Sequence, residues 1–129
     1  MSVNAFGEFL CEIRLARGHS IRRLAELLQI SPSYYHDMEK GRRNPPDADR
    51  LTQLASILGL NADERSRLFD LAGEACGRLA PDLADYLQNH AAARKALRLA
   101  CEWRANDQDW AQFIELLRPK YQKDTLKNR

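Results

Sequence analysis

Between Ser31 and Arg43 the sequence reads SPSYYHDMEKGRR. Two tyrosines, a histidine and an aspartate stand close together, and Lys-Gly-Arg-Arg follows them. Hydroxyl, imidazole and carboxylate groups at this density form directed hydrogen bonds, and the guanidinium groups behind them pair with anions. That is the chemistry of recognition, provided a scaffold turns these groups to one side.

The chemistry of catalysis is missing its partners. His19, His36 and His90 have no carboxylate or cysteine at metal-ligand or triad spacing, and there is no Gly-rich phosphate loop. Asp82 and Asp85 fall at a helix start, where carboxylates complement the helix dipole. Cys11, Cys76 and Cys101 are odd in number and form no CxxC pair, which argues against a disulfide framework or a zinc knuckle; they are expected as small buried apolar residues. The sequence therefore predicts no enzyme, no cofactor and no metal.

A chain of 129 residues suffices for one ordinary domain, or for a small domain with an appendage. No apolar run approaches the roughly 20 residues that span a bilayer, and MSVNAFGEFL lacks the basic start and apolar stretch of a signal peptide. No membrane association and a cytoplasmic location are expected. The net charge of +2 is too small to identify a nucleic-acid partner, so the placement of charge must decide.

The elements that hold the Ser31–Arg43 stretch are helices. Val3, Phe6, Phe9, Leu10 and Ile13 recur on one helical face, predicting a first helix from Asn4 to Arg17, capped by Asn4 or Ser2 and ended by Gly18. Ser20 caps a second through Ile21, Leu24, Ala25, Leu27 and Leu28, ending near Gln29. Ser31 and Pro32 start a third that runs to about Lys40, where Gly41 stops it. Tyr35 and Met38 share its inner face; Ser33, Tyr34 and Asp37 lie on the other side. Asp47 caps a fourth carrying Leu51, Leu54, Ala55 and Leu58, and Asn61 with Glu64 opens a fifth that ends between Gly73 and Gly77. No stretch alternates as a strand, so the predicted class is all-α.

Helices 2 and 3, joined by a three- to four-residue turn and with a polar face on the second, form the pattern of a helix-turn-helix unit. The run SIRRLAELLQISPSYYHDMEKGRRNP resembles the core of the lambda-repressor-like, Xre-type transcriptional regulators, over about residues 4 to 76. Gln29 stands where that family often has glycine, and His19 where an apolar residue is commoner. At Gln29 either a non-glycine adopts positive φ or the turn differs slightly.

The resemblance implies a five-helix DNA-binding domain at residues 1–77 and a helical C-terminal extension at 78–129. Helix 3 would enter the major groove of double-stranded DNA, with Ser33, Tyr34, Asp37 and His36 near base edges. Ser20, Arg22, Lys40, Arg42, Arg43 and Asn44 would meet phosphates. Arg14 and Glu39 match a salt bridge that fixes the recognition helix in this family.

Beyond residue 77 three more apolar stripes follow: Leu79, Leu83, Tyr86 and Leu87; Ala93, Leu97, Ala100 and Trp103; and Trp110, Phe113, Ile114 and Leu117 on a last helix capped by Asn106 and Asp107 and stopped by Pro119. The tail RPKYQKDTLKNR is basic and expected to fray, adding non-specific DNA affinity. Leu83, Leu87, Leu97, Trp103, Trp110 and Phe113 are the expected dimerisation residues, since a palindromic operator requires a homodimer with recognition helices roughly 34 Å apart. The expected function is a sequence-specific transcriptional repressor. The alternative is an antitoxin-like or phage-type regulator whose C-terminal helices bind a partner protein.

Overall fold

The computed structural model describes the backbone of residues 4–127 and the side chains of residues 4–122. Ser2 and Val3, offered above as a cap and an apolar position, lie outside the described residues. The helices are α1 (Ala5–Ala16), α2 (Ile21–Leu28), α3 (Pro32–Glu39), α4 (Ala48–Leu58), α5 (Ala62–Ala75), α6 (Pro81–Gln88), α7 (Ala91–Glu102) and α8 (Asp107–Lys127). Among the described residues the secondary structure is helical throughout, without strands.

The starts obey local chemistry. Ser20, Ser31 and Asp47 each accept a hydrogen bond from the amide three residues on, at 3.0 Å. Such a cap contributes about 1 kcal/mol. Asn61 and Glu64 form a reciprocal capping box at the start of α5. Asn106 does the same with Asp109 at the start of α8, so the helix is capped by Asn106 alone and Asp107 is its first residue.

The stops of α1 to α5 and of α7 share one geometry. A residue with positive φ follows the helix and two amides turn back onto its last carbonyls. Gly18 ends α1 in this way, with His19 N donating to Arg14 O at 3.0 Å and Gly18 N to Leu15 O at 3.1 Å. Gln29 ends α2 at φ 59, with Ile30 N donating to Ala25 O at 3.0 Å, so the non-glycine adopts the left-handed conformation. Pro119 does not stop α8, which continues through it to Lys127. A proline there removes the hydrogen bond to the Glu115 carbonyl and crowds that carbonyl, and Glu115 is exposed, so solvent can satisfy the group it displaces. The tail is helical as far as Lys127.

The chain divides into a unit from Met1 to Tyr86 and a unit from Leu87 to Arg129. In the first, Phe6 and Leu10 of α1, Leu24 and Leu28 of α2, Tyr35 and Met38 of α3, Leu51, Leu54 and Leu58 of α4 and Leu68 and Phe69 of α5 bury one core. Ala80 belongs to that core too, which carries the packing past Gly77. Gly73 makes room for the return of the chain: a Cβ on it would lie 2.7 Å from Ala80 N and 2.8 Å from Arg78 O.

The second unit has a different balance. No residue of α7 is buried, nor is any described side chain of α8. Arg94 Nη1 donates to the carbonyls of Leu87 and Gln88 at 2.7 Å each, and the rings of Trp110 and Phe113 meet edge to face at 5.8 Å. A groove of about 370 Å³ is lined by Ala96, Ala100, Trp103, Ala105, Asp109, Trp110 and Phe113. The cysteines depart from expectation: Cys11 is half-buried and Cys76 and Cys101 are exposed, all three as free thiols. Cys76 follows the end of α5, and Cys101 sits in a helix that buries no residue, so neither has a core to enter.

Candidate nucleic-acid interface

The residues of α3 divide between two jobs, with Tyr34 sharing in both. Tyr35, Met38 and Glu39 are buried, while Ser33 is exposed and Tyr34, His36 and Asp37 are half-buried. The three-residue turn Gln29–Ser31 sets α3 against α2, with the buried Ala25 of α2 small enough for close approach. Ser31 and Pro32 fix where α3 begins, and hence which side chains face out.

Glu39 fixes where it ends. Arg14 Nε donates to Glu39 Oε2 at 2.7 Å and Arg14 Nη2 to Oε1 at 3.2 Å. This is a two-pronged pair with both side chains buried. Arg14 Nη1 also donates to the His19 carbonyl at 3.0 Å, so α1, the turn before α2 and α3 meet at one guanidinium. The hydrogen bond to Glu39 holds the Arg14 proton more tightly than in water.

Tyr35 lies against the same pair. Its hydroxyl is buried and has no hydrogen-bond partner among the described residues. Burial first, and then the Glu39 carboxylate, push its phenol far above the usual range.

The basic groups behind α3 are anchored to its outer face. The Arg43 guanidinium stacks on the Tyr34 ring, 4.6 Å from the centroid, and Arg42 Nη1 lies 3.6 Å from Asp37 Oδ1. His36 Nδ1 lies 3.8 Å from the same carboxylate, an ion pair only when the imidazole is protonated. Tyr34 also packs against the core cluster, so the structure gives it a structural role beside any contact with a ligand. Lys40, Arg42, Arg43 and Asn44 are all exposed. Ser20 accepts from Arg23 N, which leaves its own O–H to donate outward beside the exposed Arg22 at the amide end of α2.

Residues 5–68 match the family described as a helix-turn-helix domain. These residues are a helix-turn-helix domain. Two curated relatives share it. The chain is 40% identical over 58 residues to the SPbeta prophage-derived uncharacterized HTH-type transcriptional regulator YonR of Bacillus subtilis, covering 45% of this chain and 53% of that protein. It is 34% identical over 85 residues to the HTH-type transcriptional regulator DdrOP3 of Deinococcus deserti, covering 65% of each. The chain thus spans between about half and two thirds of these relatives. No solved structure matches the chain with significance.

Around α3 and α1, sequence patterns missed three positioning contacts. Asn4 Nδ2 donates to the Glu39 carbonyl at 2.7 Å, Gly7 is buried where α1 crosses the end of α3, and Arg17 Nη2 meets Glu64 Oε1 at 2.9 Å across α1 and α5. Only Gly7 carried a signal: an isolated glycine in an amphipathic helix marks close packing. Among the described residues no His, Cys, Asp and Glu cluster could hold a metal, and no helix is long and apolar enough to cross a membrane.

Proposed function

We propose that this protein is a sequence-specific double-stranded DNA-binding transcriptional repressor that lays α3 in the major groove. The observation that carries this reading is the coupling of Arg43 to Tyr34 and of Arg42 to Asp37. It joins the polar face of α3 and the basic loop behind it into one surface, hydrogen-bonding at its centre and cationic at its edge. Ser33, Tyr34, His36 and Asp37 meet base edges through single hydrogen bonds and methyl contacts. Lys40, Arg42, Arg43 and Asn44 on one side, and Ser20 and Arg22 on the other, take the phosphates.

Asp37 has a definite part in this arrangement. It holds Arg42 in the free protein, and a phosphate then competes for that guanidinium while the carboxylate turns to a cytosine amine. The helix-turn-helix family of the domain and the names of its relatives support the DNA-binding reading.

The protein acts in this reading as a homodimer on a palindromic operator. Leu83, Leu97, Trp103 and Phe113 are exposed, Trp103 at 74%, and Leu87 and Trp110 are half-buried. A unit of two helices with no buried side chain among the described residues gains its stability from what covers it. The same exposed groups favour, as a second reading, a partner protein docking on the C-terminal helices.

Fluorescence anisotropy against the DNA upstream of the protein's own gene and a scrambled duplex, at two salt concentrations, tests the function. Tight, salt-sensitive preference for the upstream DNA is expected. Replacing Arg42 and Arg43 by glutamine is expected to make the salt slope shallower by about 2, near 0.9 per lost phosphate contact. An unchanged slope removes both residues from the interface. Sedimentation of the chain cut after Tyr86 tests assembly: a cut chain that stays dimeric refutes dimerisation through α7 and α8.

A further inference from the structure

We propose that Asn4 is a positioning residue for DNA recognition: it straps the C-terminal end of α3 to the start of α1 and thereby sets the Lys40–Arg43 phosphate clamp. The proposal rests on α3 being the recognition helix.

Asn4 occupies the N-cap of α1, where an asparagine side chain ordinarily accepts from an amide of the helix it precedes. Here it makes no such cap bond. Its Nδ2 instead donates to the carbonyl of Glu39, thirty-five positions on, at 2.7 Å. Glu39 is the last residue of α3, so that carbonyl is one of those a helix end leaves without an internal partner.

Two glycines make the approach possible. A Cβ on Gly7 would run into the same Glu39 carbonyl, and a Cβ on Gly41 would lie 2.8 Å from Asn4 Oδ1. Gly41 is also the turn of the clamp, at φ 77, with Gly41 N donating to Met38 O at 3.3 Å and Arg42 N to Asp37 O at 2.9 Å. Asn4 therefore touches the very turn from which Arg42 and Arg43 depart.

Glu39 is held twice, by different parts. Arg14 grips its side chain and Asn4 its main chain. Tyr35 and Met38 already seat α3 in the core; the two attachments at Glu39, one to its side chain and one to its main chain, fix how the C-terminal end of the helix sits on α1. The direction in which α3 presents Ser33 and Asp37, and the height of the clamp behind them, follow from both.

The test compares the full-length protein with Asn4→Ala, which loses the donor without adding charge, and with Asn4→Asp, which keeps the size, loses the donor and adds a negative charge. Ile57→Val, a half-buried site on α4 remote from α3 in sequence, serves as a control for lowered stability. Amide hydrogen exchange is read at Gly41 and Arg42. Affinity is read for a duplex that the wild-type protein selects from a randomised pool. Both Asn4 variants are expected to melt cooperatively, to exchange these amides faster and to bind the duplex more weakly, each by about fivefold to tenfold, the factor one net hydrogen bond carries. Ile57→Val is expected to leave both readouts at wild-type values.

Wild-type exchange rates in Asn4→Asp, or an equal rise in Ile57→Val, overturn the strap. Faster exchange with unchanged duplex affinity overturns its role in recognition. A wild-type protein that selects no duplex overturns the recognition reading of α3 instead, and the exchange rates then decide the strap by themselves.

Discussion

Arg14 and Glu39, twenty-five positions apart, form a buried two-pronged ion pair that closes the end of α3 onto α1. Removing either partner leaves a buried charge uncompensated. Arg14→Ala or Glu39→Ala is expected to cost about 3 to 5 kcal/mol in chemical denaturation, whereas replacing both with apolar residues of similar volume costs much less. Equal losses for the single and double replacements would contradict this account.

Tyr35 beside them carries a hydroxyl that is buried without a partner among the described residues. Tyr35→Phe is expected to stabilise the protein at neutral pH by about 1 kcal/mol, since a buried unsatisfied hydroxyl is costly. The pH dependence has a definite sign. The phenol's folded pKa is raised, so its titration leaves stability unchanged below the unfolded value of about 10, and stability falls as pH climbs above that value because only the unfolded chain ionises readily. Urea melts from pH 8 to pH 11 are expected to show an alkaline loss in the wild-type protein that Tyr35→Phe diminishes.

Gln29 holds a left-handed conformation at φ 59 that costs a side chain about 1 kcal/mol. Gln29→Gly is expected to raise stability by about 0.5 kcal/mol, less than the full strain because glycine also loosens the unfolded chain. A thermal melt checks it, and a lowered midpoint counts against the strain.

Gly73 reverses the ordinary rule for glycine in a helix. Propensity alone makes Gly73→Ala stabilising by about 1 kcal/mol. The backbone of Arg78, Leu79 and Ala80 lies within 3 Å of where the new Cβ would stand, so the substitution is expected to destabilise by about 2 kcal/mol instead. A denaturation curve decides between the two signs.

These residues also mark where pattern reading ends. Ser20, Ser31, Asp47 and Asn61 announce their helices because a cap is a contact with the third residue onward, and the apolar stripes announce the inner faces because 3.6 residues make a turn. Pro119 misled because a helix in water tolerates one missing bond that a buried helix does not. The cysteines misled because residue type is a weaker guide to burial than position on the stripe.

The sequence by itself determined the helices, their caps, the helix-turn-helix order and the polar face of α3, all of which depend on neighbours within a turn or two of chain. Tertiary structure alone decided that Asn4 bonds the Glu39 carbonyl rather than capping α1, and that Arg43 rests on Tyr34. It also decided that Gly73 yields its space to Ala80. Those contacts join groups brought together by packing of the core, and no local periodicity encodes the distance between them.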